Sequence, residues 1–198
     1  GVGLGLGLKV QNSASISVVF LGEAATEQGV FFESLNIAAL RESPTLFVCE
    51  DNVYSVYTAP KNRVAESRSI KGVVESQGVK YFACTKHDFY RNLETISSAV
   101  KYVRDNRLPA FVIIPTYRYL EHCGPNDDSH LGYRDKKEVE QNMSEDMLDN
   151  VSLLFLGKSK VSELRRQFEN EVIEVFEKCR EEYVAIGGIE SPNSGKDE

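Results

Sequence analysis

Four short apolar runs punctuate the first 115 residues: Ile16–Leu21, Thr45–Cys49, Val79–Cys84 and Ala110–Pro115. Each is rich in Val, Ile, Leu or Phe and lacks polar alternation, the pattern of strands covered on both faces. Helical periodicity lies between them. Val30–Arg41 buries a stripe through Phe31, Leu35 and Ala38–Ala39, and Ser69–Gln77 is shorter and stops at Gly78, a C′ glycine. Asp88 caps a helix whose expected apolar face is Phe89, Leu93, Ile96, Val100 and Val103, spaced by three and four. Strand and helix in alternation predict an α/β fold: a doubly wound, mostly parallel sheet with right-handed crossovers and helices on both faces.

Outside that region the pattern changes twice. From Glu121 to Glu138 the chain turns polar (Gly124-Pro125-Asn126-Asp127-Asp128-Ser129), which predicts a long surface loop. Ser162–Glu182 is amphipathic, with Leu164, Phe168, Val172, Val175–Phe176 and Cys179 on one face, and the tail from residue 186 is expected to be flexible. At the other end, Gly1–Leu8 alternates Gly with apolar residues and has no G-x-G-x-x-G spacing. The expectation is a chain that begins inside a tightly packed helix, with the N-terminal part of the domain missing. One domain is expected over residues 1–185.

Composition narrows the partners. A net charge of −7 argues against nucleic acid or an anionic membrane surface as the main partner, and no apolar stretch approaches the roughly 20 residues of a bilayer span. Cys49, Cys84, Cys123 and Cys179 show no metal spacing and read as a reduced, cytoplasmic set, with Cys49 and Cys84 as core filler.

Ligands of such sheets bind beyond the carboxyl ends of the strands. Gly22-Glu23-Ala24-Ala25-Thr26-Glu27-Gln28-Gly29 lies at the first of these ends and opens a helix; Cys49-Glu50-Asp51-Asn52-Val53-Tyr54 lies at the second. Small residues, an acid and a helix start suit an anion held through a divalent cation. Glu23, the Asn52 side chain and a main-chain carbonyl near Tyr54 could give three oxygen ligands to Mg²⁺. Taken singly, Glu23 also reads as an acid in a first helical turn and Asn52 as a turn residue.

The succession of Gly22–Gly29, Phe32–Leu40 and Phe47–Tyr54 resembles the thiamine diphosphate motif of 2-oxoacid dehydrogenase E1 alpha subunits. The resemblance continues through Thr116-Tyr117-Arg118-Tyr119-Leu120-Glu121-His122 and Asp127-Asp128-Ser129 to Tyr133-Arg134. It implies a thiamine diphosphate-binding fold, with the site at an interface with an E1 beta-type subunit that supplies the activating carboxylate. It also implies oligomer formation and transfer of the acyl product to a lipoyl-bearing acyltransferase. By the same resemblance, Glu23, Asn52 and Tyr54 (through its carbonyl) would ligate the metal, Gly22, Ala24 and Ala25 would lie along the diphosphate, and His122 would stand near the reacting centre as the catalytic candidate. The chain departs from the motif at Glu23 (Asp in the family), Ala24 (Gly) and Asp51 (Asn), and Cys123 replaces the regulatory serine of some members. The run Asp127–Ser129 leans toward the branched-chain type over the pyruvate type. Two other readings stay open: an acetoin-cleaving or transketolase-like use of the same cofactor, and a cofactor-free scaffold. Arg118 and Arg134 are expected to pin the polar loop through Asp127 or Asp128.

Overall fold

The computed structural model describes residues 1–185, so the expected tail from residue 186 lies outside the described residues. Residues 1–147 form one compact unit and the segment that follows a second. The first unit carries a four-stranded, fully parallel sheet: β1 (Ser17–Gly22), β2 (Thr45–Asp51), β3 (Lys80–Ala83) and β4 (Ala110–Pro115), in the order β1-β2-β4-β3. All four predicted strands are present. Helices α1 (Val2–Val10), α2 (Gly29–Leu40), α3 (Ile70–Ser76) and α4 (Phe89–Asn106) connect and cover them, and α5 (Lys136–Ser144) follows the polar loop.

Two apolar layers sandwich the sheet. On one face Phe31, Leu35 and Ala38 of α2 and Val74 of α3 pack with Phe47, Cys49 and Phe111. On the other, Ala99 and Val103 of α4 pack with Leu46, Val48, Ala110 and Val112. The doubly wound expectation holds, because β2 and β4 point side chains into both layers. Edge strand β1 departs from it: Val18 and Phe20 are 45% and 67% exposed, so its second face is uncovered.

Local chemistry explains the boundaries. Ser69 Oγ accepts from Gly72 N (3.1 Å) and Asp88 Oδ1 from Arg91 N (3.0 Å), each satisfying an orphan amide of a first turn. Gly78, at φ +78°, ends α3 in a Schellman pair: its N–H donates to Glu75 O (3.0 Å), and that of Val79 to Val74 O (3.3 Å). The N-terminal helix is close-packed along one stripe only. A Cβ on Gly5 would sit 2.4 Å from the hydroxyls of both Ser43 and Thr45, whereas Gly3 and Gly7 face open space.

Three expectations need correction. The expected face of α4 holds at Ile96, Val100 and Val103, which pack on the core beside Ala99, but its first turns present Asn92, and Phe89 and Leu93 point outward. The polar residue displaces them because its amide closes a loop, with Asn92 Oδ1 accepting from Thr85 N and Nδ2 donating to Thr85 O, both at 2.7 Å. The polar loop ends early, at Asp135, whose carboxylate caps α5 through Lys137 N (2.9 Å). Finally, the last helical segment, α6 (Met147–Ala185), starts well before Ser162 and is interrupted at Gly157, φ +72°.

Candidate functional site

At the carboxyl end of β1 the chain enters a short 3-10 turn, Glu23–Glu27, before α2 begins at Gly29. Thr26, buried, braces this turn from inside: its hydroxyl donates to Glu23 O (2.5 Å), while Arg68 Nη2 donates to Thr26 O (2.7 Å) and Oγ1 (3.1 Å). Gly22 and Gly29 flank it with open space where a Cβ would stand, room for a ligand to approach the backbone. Ala24 is partly buried and Ala25 exposed.

The neighbouring strand β2 ends in two consecutive Asx turns. Asp51 Oδ1 accepts from Val53 N (3.0 Å) and Asn52 Oδ1 from Tyr54 N (3.1 Å), with Val53 at φ +73° and Val56 at φ +54°. A single side chain joins the two strand ends. Arg63 Nη1 pairs with Glu27, Nη2 donates to Glu23 Oε1 (2.9 Å) and to Val53 O (3.2 Å), and Nε donates to Thr58 O (3.1 Å). The Arg63 side chain is only 10% exposed, and those of Glu23 and Glu27 are 15% and 25%. Glu23 and the backbone beside Asn52 are thus both within hydrogen-bond reach of one nitrogen.

Beneath this ion-pair layer lies a cavity of about 150 Å³, lined by Glu23, Thr26, Cys49, Asp51, Arg63 and Arg68 among others. Burial, with Asp51, Glu23 and Glu50 adding negative charge, pushes the Cys49 thiol up to about 12. The sulfur is therefore a closed, protonated floor and not a nucleophile.

The third strand end is organised by aromatic and ionic contacts. The Tyr54 hydroxyl donates to both Glu138 oxygens (3.1 and 3.0 Å) and that of Tyr117 to one of them (3.1 Å), tying the exits of β2 and β4 to α5. Asp128, 1% exposed, accepts from Tyr133 (2.7 Å), pairs with Arg134 and lies 3.7 Å from Arg118. Arg134 in turn stacks over the Tyr133 ring, 4.8 Å from its centroid, and Arg118 donates to Val56 O (2.6 Å) and Leu120 O (2.7 Å). The loop anchor is therefore Asp128; Asp127 instead accepts from Ser129 N (2.9 Å). His122 sits exposed in this loop, beside exposed Cys123.

The donors at the first two strand ends are hard oxygens: a carboxylate, an amide and main-chain carbonyls. Oxygens of this kind are the ones Mg²⁺ takes, but no group of three or more His, Cys, Asp or Glu side chains gathers to hold a metal among the described residues, and the guanidinium of Arg63 stands among these oxygens as a cation. Sequence reasoning missed Arg63, Arg68 and Glu138. The first two lie in an aperiodic stretch, and the third lies where a loop was expected; Arg63 meets Glu27 across 36 residues, Arg68 meets Thr26 across 42 and Glu138 meets Tyr54 across 84.

Residues 1–185 match the family model described as dehydrogenase E1 component. The alpha subunit of the pyruvate dehydrogenase E1 component from Rickettsia bellii is 31% identical over 91% of this chain and 55% of its own length. That of Rickettsia felis is 32% identical over 90% and 54%. The chain thus spans about half the length of the curated relatives it matches. Among solved structures, benzoylformate decarboxylase from Polynucleobacter necessarius overlays with a TM-score of 0.46 at 14% identity, covering 61% of this chain and 23% of that one. That likeness is too slight to bear on fold or function.

Proposed function

We propose, from the premise that this chain belongs to the dehydrogenase E1 component family, that it is the alpha part of a thiamine diphosphate-dependent 2-oxoacid dehydrogenase. In this reading it binds the cofactor diphosphate through Mg²⁺ and acts with a beta-type subunit, in a reduced, cytoplasmic setting. Its acyl product passes to a lipoyl-bearing acyltransferase. The substrate is proposed only to the class of 2-oxoacids: the two Rickettsia relatives carry the pyruvate name, whereas the Asp127–Ser129 run leans toward the branched-chain type.

The observation that supports this reading best is the convergence of Glu23 and the Val53 carbonyl on Arg63 Nη2, which marks a cation position between adjacent strand ends. Glu23, the Asn52 amide oxygen and the Tyr54 carbonyl would hold the metal. Gly22, Ala24 and Ala25 would border the diphosphate, which the amides at the start of α2 also attract. Thiamine diphosphate supplies, when bound, the electron sink for decarboxylation. The chain's own residues position and exclude. Glu138 fixes the rings of Tyr54 and Tyr117, and the Asp128 anchor holds the loop that carries His122, which in this reading would stand near the reacting centre.

Calorimetric titration of the chain with thiamine diphosphate and Mg²⁺, alone and assembled with a beta partner, tests the proposal. Metal-dependent binding that Asn52→Ala weakens by about tenfold, the scale of one lost metal-site interaction, supports it. Absence of binding in the assembled complex would make the chain a cofactor-free scaffold.

A further inference from the structure

We infer that Arg63 is the resident counter-cation of the oxygen cage between β1 and β2, and that a divalent ion enters this cage by displacing its guanidinium. The inference rests on the reading that Glu23 and the 52–54 segment hold the metal.

The guanidinium is surrounded by oxygens from four residues: the carboxylates of Glu23 and Glu27 and the carbonyls of Val53 and Thr58. A guanidinium keeps its charge at every working pH. It cannot remain against Glu23 Oε1 when a second cation takes that oxygen, because two like charges at contact distance repel strongly in a partly buried site. Arg68, the other arginine at this end of the sheet, is engaged differently: its donated bonds run to Thr26 O and Oγ1, so it braces the turn and leaves the carboxylates to Arg63.

The segment bearing Arg63 is built to let go. Between β2 and α3 the regular structure consists of the Ser55–Thr58 bridge and the three-residue turn Pro60–Asn62. Neighbouring Lys61 and Asn62 are exposed. Arg63 reaches the body of the fold through its side chain, so its withdrawal breaks ion pairs without unravelling a helix or strand. Without the guanidinium, Glu23 and Glu27 would stand together, largely buried and uncompensated, and would draw in another cation.

The test uses the full 198-residue chain as wild type, Arg63→Gln, Glu23→Gln and the double variant, with circular dichroism to verify folding. Mn²⁺ serves as the metal probe, its free fraction read by electron paramagnetic resonance in the presence of thiamine diphosphate. Arg63→Gln should bind Mn²⁺ about tenfold more tightly than wild type, and Glu23→Gln in the same chain should abolish the gain. In wild type, Mn²⁺ with thiamine diphosphate should speed tryptic cleavage after Arg63 relative to cleavage after exposed Lys61. Equal or weaker binding by folded Arg63→Gln, with wild type still binding, overturns the exchange and leaves the metal reading standing. Absence of Mn²⁺ binding in every variant overturns both. If Arg63→Gln does not fold, the wild-type digest decides: bound Mn²⁺ without faster cleavage after Arg63 overturns the exchange.

Discussion

Asp128→Asn keeps the shape of the side chain at the loop anchor and removes its charge. Asparagine can still accept from the Tyr133 hydroxyl, but Arg134, whose side chain is 2% exposed, loses its counter-charge, as does nearby Arg118. Removing one partner of a pair buried this deeply costs about 3–5 kcal/mol. At roughly 2–4 °C per kcal/mol for a chain of this size, the melting temperature should fall by about 6–20 °C. The effect carries a pH signature. Burial pushes the Asp128 carboxyl up, but the Tyr133 hydroxyl and the Arg134 and Arg118 guanidiniums outweigh it and hold the group below the usual carboxylate range. A depressed folded-state value means stabilisation that is complete above the unfolded value of about 3.9 and is lost as pH falls through the folded one. Thermal melts followed by circular dichroism should therefore show a gap between wild type and Asp128→Asn that is full at about pH 6–7 and closes in acid below about pH 4. A melting temperature unchanged at neutral pH, together with unchanged tryptic cleavage after Arg118 and Arg134, would refute the anchor.

Alanine at Gly5 would drive a Cβ to 2.4 Å from the Ser43 and Thr45 hydroxyls, which are themselves hydrogen-bonded at 2.9 Å, so urea unfolding should report a loss of about 1–3 kcal/mol. At Gly3, where a Cβ meets nothing, the same change should add about 0.5–1 kcal/mol in the same assay. Iodoacetamide at about pH 8, near the ordinary thiol value, should label exposed Cys123 and Cys179 in the native chain and leave Cys49 unmodified, its pKa being pushed up to about 12; mass spectrometry after mild labelling checks this.

How much of this was legible before the structure depends on the range of the interaction involved. The strand cores and the α3 stop at Gly78 could be read directly, because apolar runs and a left-handed glycine act within a few residues of themselves. The orientation of α4 could be read along Ile96, Val100 and Val103 but not in its first turns. Periodicity counts Leu93 as core, while the native face follows Asn92 and its two bonds to Thr85, and a polar residue closing a loop looks like surface in a hydropathy pattern. The site divides in the same way. Gly22–Gly29 and Asn52 stood out because a strand end followed by small residues is a local signal. Arg63 lies 36 residues from Glu27 and 40 from Glu23, and nothing in its own neighbourhood announces either partner. For β1, an apolar run promised cover on both faces, and edge position alone withheld it from Val18 and Phe20.

The two valines with positive φ, Val53 and Val56, give the exit of β2 a further property. A β-branched side chain in the left-handed region is sterically disfavoured by roughly 1–2 kcal/mol per residue, so this segment rests uphill, clasped at the Val53 carbonyl by Arg63 and at the Val56 carbonyl by Arg118. It resembles a cocked spring more than a hinge: once Arg63 lets go, relaxation of Val53 would help drive the change, while Arg118 keeps its hold on Val56.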